Sequence, residues 1–117
     1  MAYTALTVAA ASEDGAAVNM VGADTVNGNK FENNGKTKLD LWNNGATGSL
    51  TVTIETGGTY KGHAVADKTI TLTTGQRKRV GPFPPAVYNQ QSGADAGCVR
   101  LTVSGAGAAD LDLEAFE

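Results

Sequence analysis

Residues 38–55, which read KLDLWNNGATGSLTVTIE, decide the fold of this chain. Apolar and polar residues alternate from Lys38 to Trp42 and again from Leu50 to Glu55. Alternation with a period of two is typical of strands that bury one face. The intervening residues 43–48 are rich in Asn and Gly, which tolerate the positive φ angles of tight turns. The stretch therefore predicts two strands that pair as an antiparallel β-hairpin.

The same alternation recurs along the rest of the chain, and helical periodicity does not. It predicts further strands at residues 69–73, 99–104 and 110–113, with weaker ones at residues 3–8, 17–21 and 29–32. Short strands separated by turn residues indicate an all-β fold, an antiparallel β-sandwich or barrel of about seven to eight short strands. We expect residues 1–117 to form a single β-sandwich domain, with residues 1–15 and 108–117 as candidate mobile termini.

The apolar residues of these strands define the expected core. They are Leu39, Leu41, Leu50, Val52, Ile54, Ile70, Leu72, Val99, Leu101 and Val103. Trp42, the single tryptophan, is expected either in this core or at its rim.

Charge is sparse and unevenly distributed. The net charge of -3 argues against nucleic acid as a partner, because a phosphate lattice requires a basic surface. Eight of the nine basic residues fall within residues 30–79, whereas the last eight residues hold four acids. This segregation can steer docking or register between subunits, and solvated termini would equally give the same pattern.

The sequence lacks signals for secretion or for a membrane. Cys98 is the only cysteine, so no internal disulfide forms. The N-terminus has no basic start, and no apolar run approaches the roughly 20 residues of a bilayer crossing. We therefore expect a chain that is made in a cytoplasm and has no membrane partner.

Residues that could perform catalysis or hold a cofactor are missing. His63 lies alone between Gly62 and Ala64 and is expected to face solvent. Cys98 opens a strand and is expected to act as a small buried hydrophobe. Residues 24–29 are similar to a calcium loop but lack its later acidic ligands, so we interpret them as a turn. We expect no enzyme activity, no metal and no cofactor.

A compact basic cluster is the first candidate for contact with a partner. It consists of Arg77, Lys78 and Arg79. Such a cluster can pair with an acidic surface on a neighbouring protein. Alternatively, it is an edge strand whose charge protects it from aggregation.

A proline segment follows directly and is the second candidate. Its residues Phe83, Pro84, Pro85 and Tyr88 could supply anchors for an interface. Proline cannot donate to a ladder, so the segment is expected to run extended, near polyproline II. The alternative is a crossover between sheets with Phe83 in the core.

Three short motifs follow one another between residues 29 and 104: LWNNG at residues 41–45, GHAVAD at 62–67 and, as the most distinctive, GPFPP at 81–85, followed by Tyr88 and Asn89. In the order of these parts the chain resembles head decoration, or cement, proteins of tailed phages. The resemblance implies a structural protein, without enzyme activity, that binds the outside of the capsid lattice and stabilises it in the virion. The implied partner is the major capsid protein, and further copies of the chain itself are a second one.

A tail-fibre-associated or carbohydrate-binding β-sandwich module is the competing interpretation. Sugar-binding modules display several aromatic platforms, and this chain holds only one Trp, three Tyr and three Phe.

Overall fold

The computed structural model describes residues 3–9, 20–56, 59–60, 62–91 and 93–117. Within these ranges the chain is almost entirely β-structure. The strands are β1 (Thr4–Ala5), β2 (Val8–Ala9), β3 (Val21–Gly22), β4 (Asn29–Glu32), β5 (Lys38–Asn43), β6 (Leu50–Ile54), β7 (Thr59–Tyr60), β8 (His63–Ala64), β9 (Lys68–Leu72), β10 (Arg77–Val80), β11 (Cys98–Ser104) and β12 (Leu111–Phe116). A single-turn helix α1 (Pro85–Tyr88) and a 3-10 turn (Ala108–Asp110) complete the elements.

Two sheets pack against each other as a β-sandwich, which confirms the predicted fold class. Sheet A has the order β1-β4-β11-β6-β9, and sheet B has the order β10-β5-β12-β2, with β3 also paired to β12. Most pairs are antiparallel, but β1 runs parallel to β4 and β2 runs parallel to β12. Strands β7 and β8 form a separate small hairpin.

The predicted core is confirmed. Eight of its ten members are buried, and Ile70 and Val103 are partly buried against them. The core also contains residues outside the expected set, namely Leu6, Phe31, Phe83, Leu111, Leu113 and Ala115.

The predicted hairpin between residues 38–42 and 50–55 is wrong. Strand β5 pairs with β10 and β12 in sheet B, whereas β6 pairs with β11 and β9 in sheet A. The intervening residues cross between the sheets, and Asn43 Nδ2 supports the crossing by donating to Gly48 O at 2.9 Å and Leu72 O at 3.3 Å. Alternation fixes which face of a strand is buried, but it does not identify the neighbouring strand.

The C-terminal segment, a candidate mobile terminus in the sequence, forms a central strand of sheet B. Strand β12 lies inside sheet B, paired with β5 on one side and with β2 and β3 on the other. Leu111, Leu113 and Ala115 are completely buried, so this segment is part of the core. Of the N-terminal segment expected to be mobile, residues 3–9 contribute β1 and β2, and residues 1–2 and 10–15 lie outside the described ranges. The expected strand at 17–21 also lies mostly outside them.

Candidate protein-binding surface

The basic cluster forms β10, the outermost strand of sheet B. Arg77 lies opposite Trp42, and Arg79 lies opposite Asp40 of β5. Asp40 and Trp42 alternate with the buried residues Leu39 and Leu41, so these pairs lie on the outer face of the sheet. The interpretation of the cluster as a charged edge strand is confirmed.

Arg77 is engaged within its own chain. Its Nε and Nη2 atoms donate to the two carboxylate oxygens of Asp40 at 2.8 and 2.7 Å. Its Cζ atom lies 5.6 Å from the centre of the Trp42 ring. The hydrogen-bonded guanidinium lowers the pKa of Asp40. Because the Asp40 side chain is only 5% exposed, the two short bonds from Arg77 compensate a carboxylate that is almost fully removed from water.

Lys78 and Arg79 differ in how far their charges are available. Lys78 Nζ reaches across to sheet A and donates to Thr71 O of β9 at 3.0 Å. The side chain of Arg79 is 78% exposed, and its Nε lies 3.9 Å from Asp40 Oδ2, which already accepts a bond from Arg77. Arg79 is therefore the member of the cluster that a partner would meet first.

The proline segment is a crossover whose aromatic rings point inward. Phe83 is 2% exposed and belongs to the core, so the hypothesis that it is an interface anchor is wrong in the isolated chain. Its ring lies 5.7 Å from that of Phe31 and 5.2 Å from that of Tyr88, the latter in an edge-on arrangement. Tyr88 is itself partly buried against the core. Burial of these rings stabilises the fold more than display would, since each ring removes a large apolar area from water.

Amide side chains hold this crossover in place. Asn33 Nδ2 donates to Phe83 O at 2.8 Å and to Asn89 Oδ1 at 2.7 Å. Asn89 Nδ2 in turn donates to Asn33 O at 3.0 Å and Gly97 O at 3.1 Å. Both ends of the segment that contains Phe83 are thus tied to the loop after β4.

Apart from the buried Phe83, the proline segment is exposed from residue 81 to residue 86. Pro84 and Pro85 are exposed. The expectation of an extended segment is wrong for residues 85–88, which form α1 with Pro84 O accepting from Val87 N and Tyr88 N. Proline suits the first position of a helix because its φ is already helical and its missing N–H is not needed there.

Two basic side chains of sheet A form close ion pairs. Lys30 Nζ lies 2.7 Å from Asp95 Oδ1, and Arg100 Nε lies 2.8 Å from Glu55 Oε2. Tyr3 donates its hydroxyl to Glu55 at 3.1 Å. These contacts are shorter than the 3.9 Å between Arg79 and Asp40, and both partners in each pair are less exposed than Arg79.

The side chains considered for catalysis or metal binding do not come together. His63 is exposed at the tip of the β7–β8 hairpin, as expected, whereas Cys98 is only half-buried. Burial raises the pKa of the Cys98 thiol, which disfavours the reactive thiolate. Among the residues described, no three His, Cys, Asp or Glu side chains form a group that could hold a metal ion.

The loop that is similar to a calcium site is a turn, which confirms its interpretation. Asp24 Oδ1 accepts from Asn27 N at 2.9 Å and from Val26 N at 3.1 Å, and Thr4 donates to the other carboxylate oxygen. These bonds, led by that from Asn27 N, lower the pKa of Asp24 to about 2. The carboxylate thus ties β1 to the turn before β4.

Sequence reasoning did not include Asp40, Trp42, Asn33 or Asn89 in the site. The alternation placed Asp40 on the face opposite the core leucines, but it gave no sign that β10 would lie beside it. Trp42, expected in the core or at its rim, lies instead half-buried on this outer face. The amide pair had no signal, because Asn is also common in exposed turns.

Comparison with known proteins identifies no relative. No protein-family model matches the chain, and neither the curated proteins nor the solved structures include a match. Within the described ranges, no helix is long and apolar enough to cross a membrane.

Proposed function

We propose that this protein is a structural, non-enzymatic decoration subunit that binds the outer surface of a tailed-phage head and stabilises its lattice. The resemblance over residues 29–104 supports this proposal. The observation that carries it is the exposed basic edge of sheet B, where the 78% exposed Arg79 has only a distant ion pair, 3.9 Å from the shared Asp40, beside an ordered crossover. Such an edge suits contact with another protein of opposite charge.

On this proposal the partner is the major capsid protein. The subunit is made in the host cytoplasm and resides on the capsid exterior of the virion. Its contact surface comprises Arg79 and the exposed Pro84 and Pro85, since Phe83 is committed to the core.

A carbohydrate-binding module is the second candidate, and Trp42 favours it. The ring lies on the outer face of sheet B, where a sugar could stack. However, the Arg77 guanidinium already lies over that ring, which leaves one face of the platform less accessible. Strong and selective hits on a glycan array would support this candidate against decoration.

The proposal is tested by sedimentation with undecorated heads. Heads assembled from the major capsid protein encoded near this gene are mixed with the purified chain and separated on a gradient. We expect the chain to move with the heads, and a chain that stays wholly at the top of the gradient would contradict the proposal. If the adjacent gene encodes a tail fibre instead of a capsid protein, the tail-fibre-associated or carbohydrate-binding module would be favoured over decoration.

Salt dependence identifies the contribution of the edge. Arg79→Ala should weaken head binding mainly at low salt, because screening at about 1 M salt shortens the reach of a charge to about 3 Å. Lys36→Ala is the matched control, since it removes an exposed positive charge outside β10. Equal effects of both substitutions would mean that only net charge matters.

A further inference from the structure

Strand β10 has one side that no strand of the described part of the chain occupies. Asn43 N donates to Gln76 O at 2.9 Å, which makes that pair a hydrogen-bonded position of the β5–β10 ladder. In an antiparallel ladder such positions alternate with positions whose backbone groups point away. Lys78 therefore directs its N–H and C=O toward β5, and Arg77 and Arg79 direct theirs toward the open side.

The neighbouring edge of sheet A is less available. Strand β9 ends that sheet, and the connection to β10 brings the two edges to the same side of the sandwich. The Lys78 ammonium bridges them by donating to Thr71 O at 3.0 Å. A charged side chain lying across a strand obstructs further pairing. A further strand would therefore pair more readily with β10 than with β9.

The exposed charge at the β10 edge is mainly positive. No Asp or Glu occurs within residues 68–94, which contain β9, β10 and the proline crossover. Two carboxylates from other strands lie nearby on the same face: Asp40, which pairs with Arg77 and lies 3.9 Å from Arg79, and Glu114, which lies opposite Asp40. Both are buried, whereas the Arg79 side chain is 78% exposed, so a partner would meet the positive charge.

We infer that the β10 edge binds an extended, acidic segment of the partner protein, which adds to sheet B as a further strand. This inference rests on the proposed binding function and specifies the chemistry of the partner. Main-chain hydrogen bonds to Arg77 and Arg79 supply affinity, and carboxylates at alternate positions of the segment face the Arg79 guanidinium. A second copy of this chain fits poorly, because antiparallel pairing of two β10 edges would place arginines opposite arginines.

Amide hydrogen exchange measured by NMR tests this inference on the intact chain. The probe is a blocked peptide of alternating Glu and Val, with an alternating Lys and Val peptide as its charge control. At a Glu peptide concentration about ten times its Kd, exchange of the Arg77 and Arg79 amides should slow about tenfold. The Lys78 amide, already bonded within the ladder, should change little, and the Lys peptide should have no effect.

Two changes separate the backbone contribution from the charge. The Glu peptide is prepared in two forms, N-methylated either at its Glu residues or at its Val residues. Both forms keep their charge, but each lacks the N–H donors along one edge of the strand. The form that lacks the donors facing β10 should not bind. Arg79→Glu should abolish binding of the Glu peptide and create binding of the Lys peptide, and Arg79→Gln should give an intermediate result. The exposed position of Arg79 makes these variants compatible with folding, which the exchange rates of core amides confirm.

Several results would overturn the inference. They are protection of the Arg77 and Arg79 amides in the dilute free chain, no response to the Glu peptide, or equal binding of both methylated peptides. Concentration-dependent protection together with a dimer in sedimentation would identify a second copy as the occupant instead. If heads bind the wild-type chain and Arg79→Glu equally, the acidic-strand inference is wrong and the decoration proposal is retained. If the Glu peptide binds and heads do not, the decoration proposal is wrong and the acidic-strand inference is retained.

Discussion

Replacing Phe83 with alanine tests whether the proline crossover is part of the core or of an interface. The side chain is 2% exposed, so the substitution empties a fully enclosed site. Phe→Ala changes at such sites cost about 3–5 kcal/mol, the sum of lost apolar transfer and the remaining cavity. The ring contacts with Phe31 and Tyr88 make the upper half of this range the better expectation, since an aromatic pair adds about 0.5–1.5 kcal/mol.

Such a loss is a large share of the total for a domain whose free energy of unfolding is about 5–15 kcal/mol. Urea unfolding measures it, with Trp42 fluorescence and far-UV circular dichroism as two independent probes. Phe83→Leu retains most of the apolar volume and loses only the ring pairs, so its expected cost is about 1–2 kcal/mol. Pro84→Ala is the control in the same segment, exposed and expected to change stability by less than about 1 kcal/mol.

A specific pattern would refute this reasoning. If Phe83→Ala changed the free energy of unfolding by less than about 1 kcal/mol but abolished head binding, the ring would be an interface anchor. A changed slope of the urea transition would instead mean that the substitution altered the compactness of one of the two states.

Two further predictions follow from the strand faces and from the turn at Asp24. Ile54→Ala and Leu101→Ala should each cost about 2–5 kcal/mol in urea melts, and losses below about 1 kcal/mol at both positions would mean that the assigned buried faces are wrong. The pKa of Asp24 is lowered from 3.8 to about 2, so its carboxylate stabilises the fold above pH 3.8 and loses this effect as the pH falls through about 2. The stability difference between wild type and Asp24→Ala should therefore be constant at neutral pH and shrink between those two values, and a difference independent of pH would contradict the role of the carboxylate.

The sequence was sufficient to predict the core-facing residues of β5, β6, β9 and β11, because alternation with a period of two is a property of each strand by itself. It failed for the pairing of β5 with β6, because the same pattern suits a hairpin and a crossing between sheets. The decision depends on how residues 43–48 are held, and Asn43 does so through Leu72 O, which lies 29 residues away. An interaction over that separation leaves no local signal.

The candidate site was likewise predictable from the sequence only in part. The basic cluster and its edge position were predictable from three successive charges next to prolines. Which of the three basic side chains is paired with a carboxylate was not predictable, because Arg77 binds a residue 37 positions earlier in the chain. The inward position of Phe83 likewise depends on Asn33, 50 positions earlier, which holds the carbonyl of Phe83. Register between distant segments decides both outcomes.

The short link between β10 and Phe83 connects the candidate binding edge to the core. Gly81 joins them at a φ of +117°, and a Cβ atom there would lie 3.1 Å from Phe83 Cε2 and 3.2 Å from Lys38 Cα. The link therefore requires glycine, both for its backbone angle and for its close approach to β5. With the β5 ladder along one side and buried Phe83 at its end, β10 is held in an extended conformation before any partner arrives. A strand that adds to this edge, as we propose, would lose its own conformational entropy on binding, whereas β10 is already ordered. Such preorganisation strengthens binding without any additional contact.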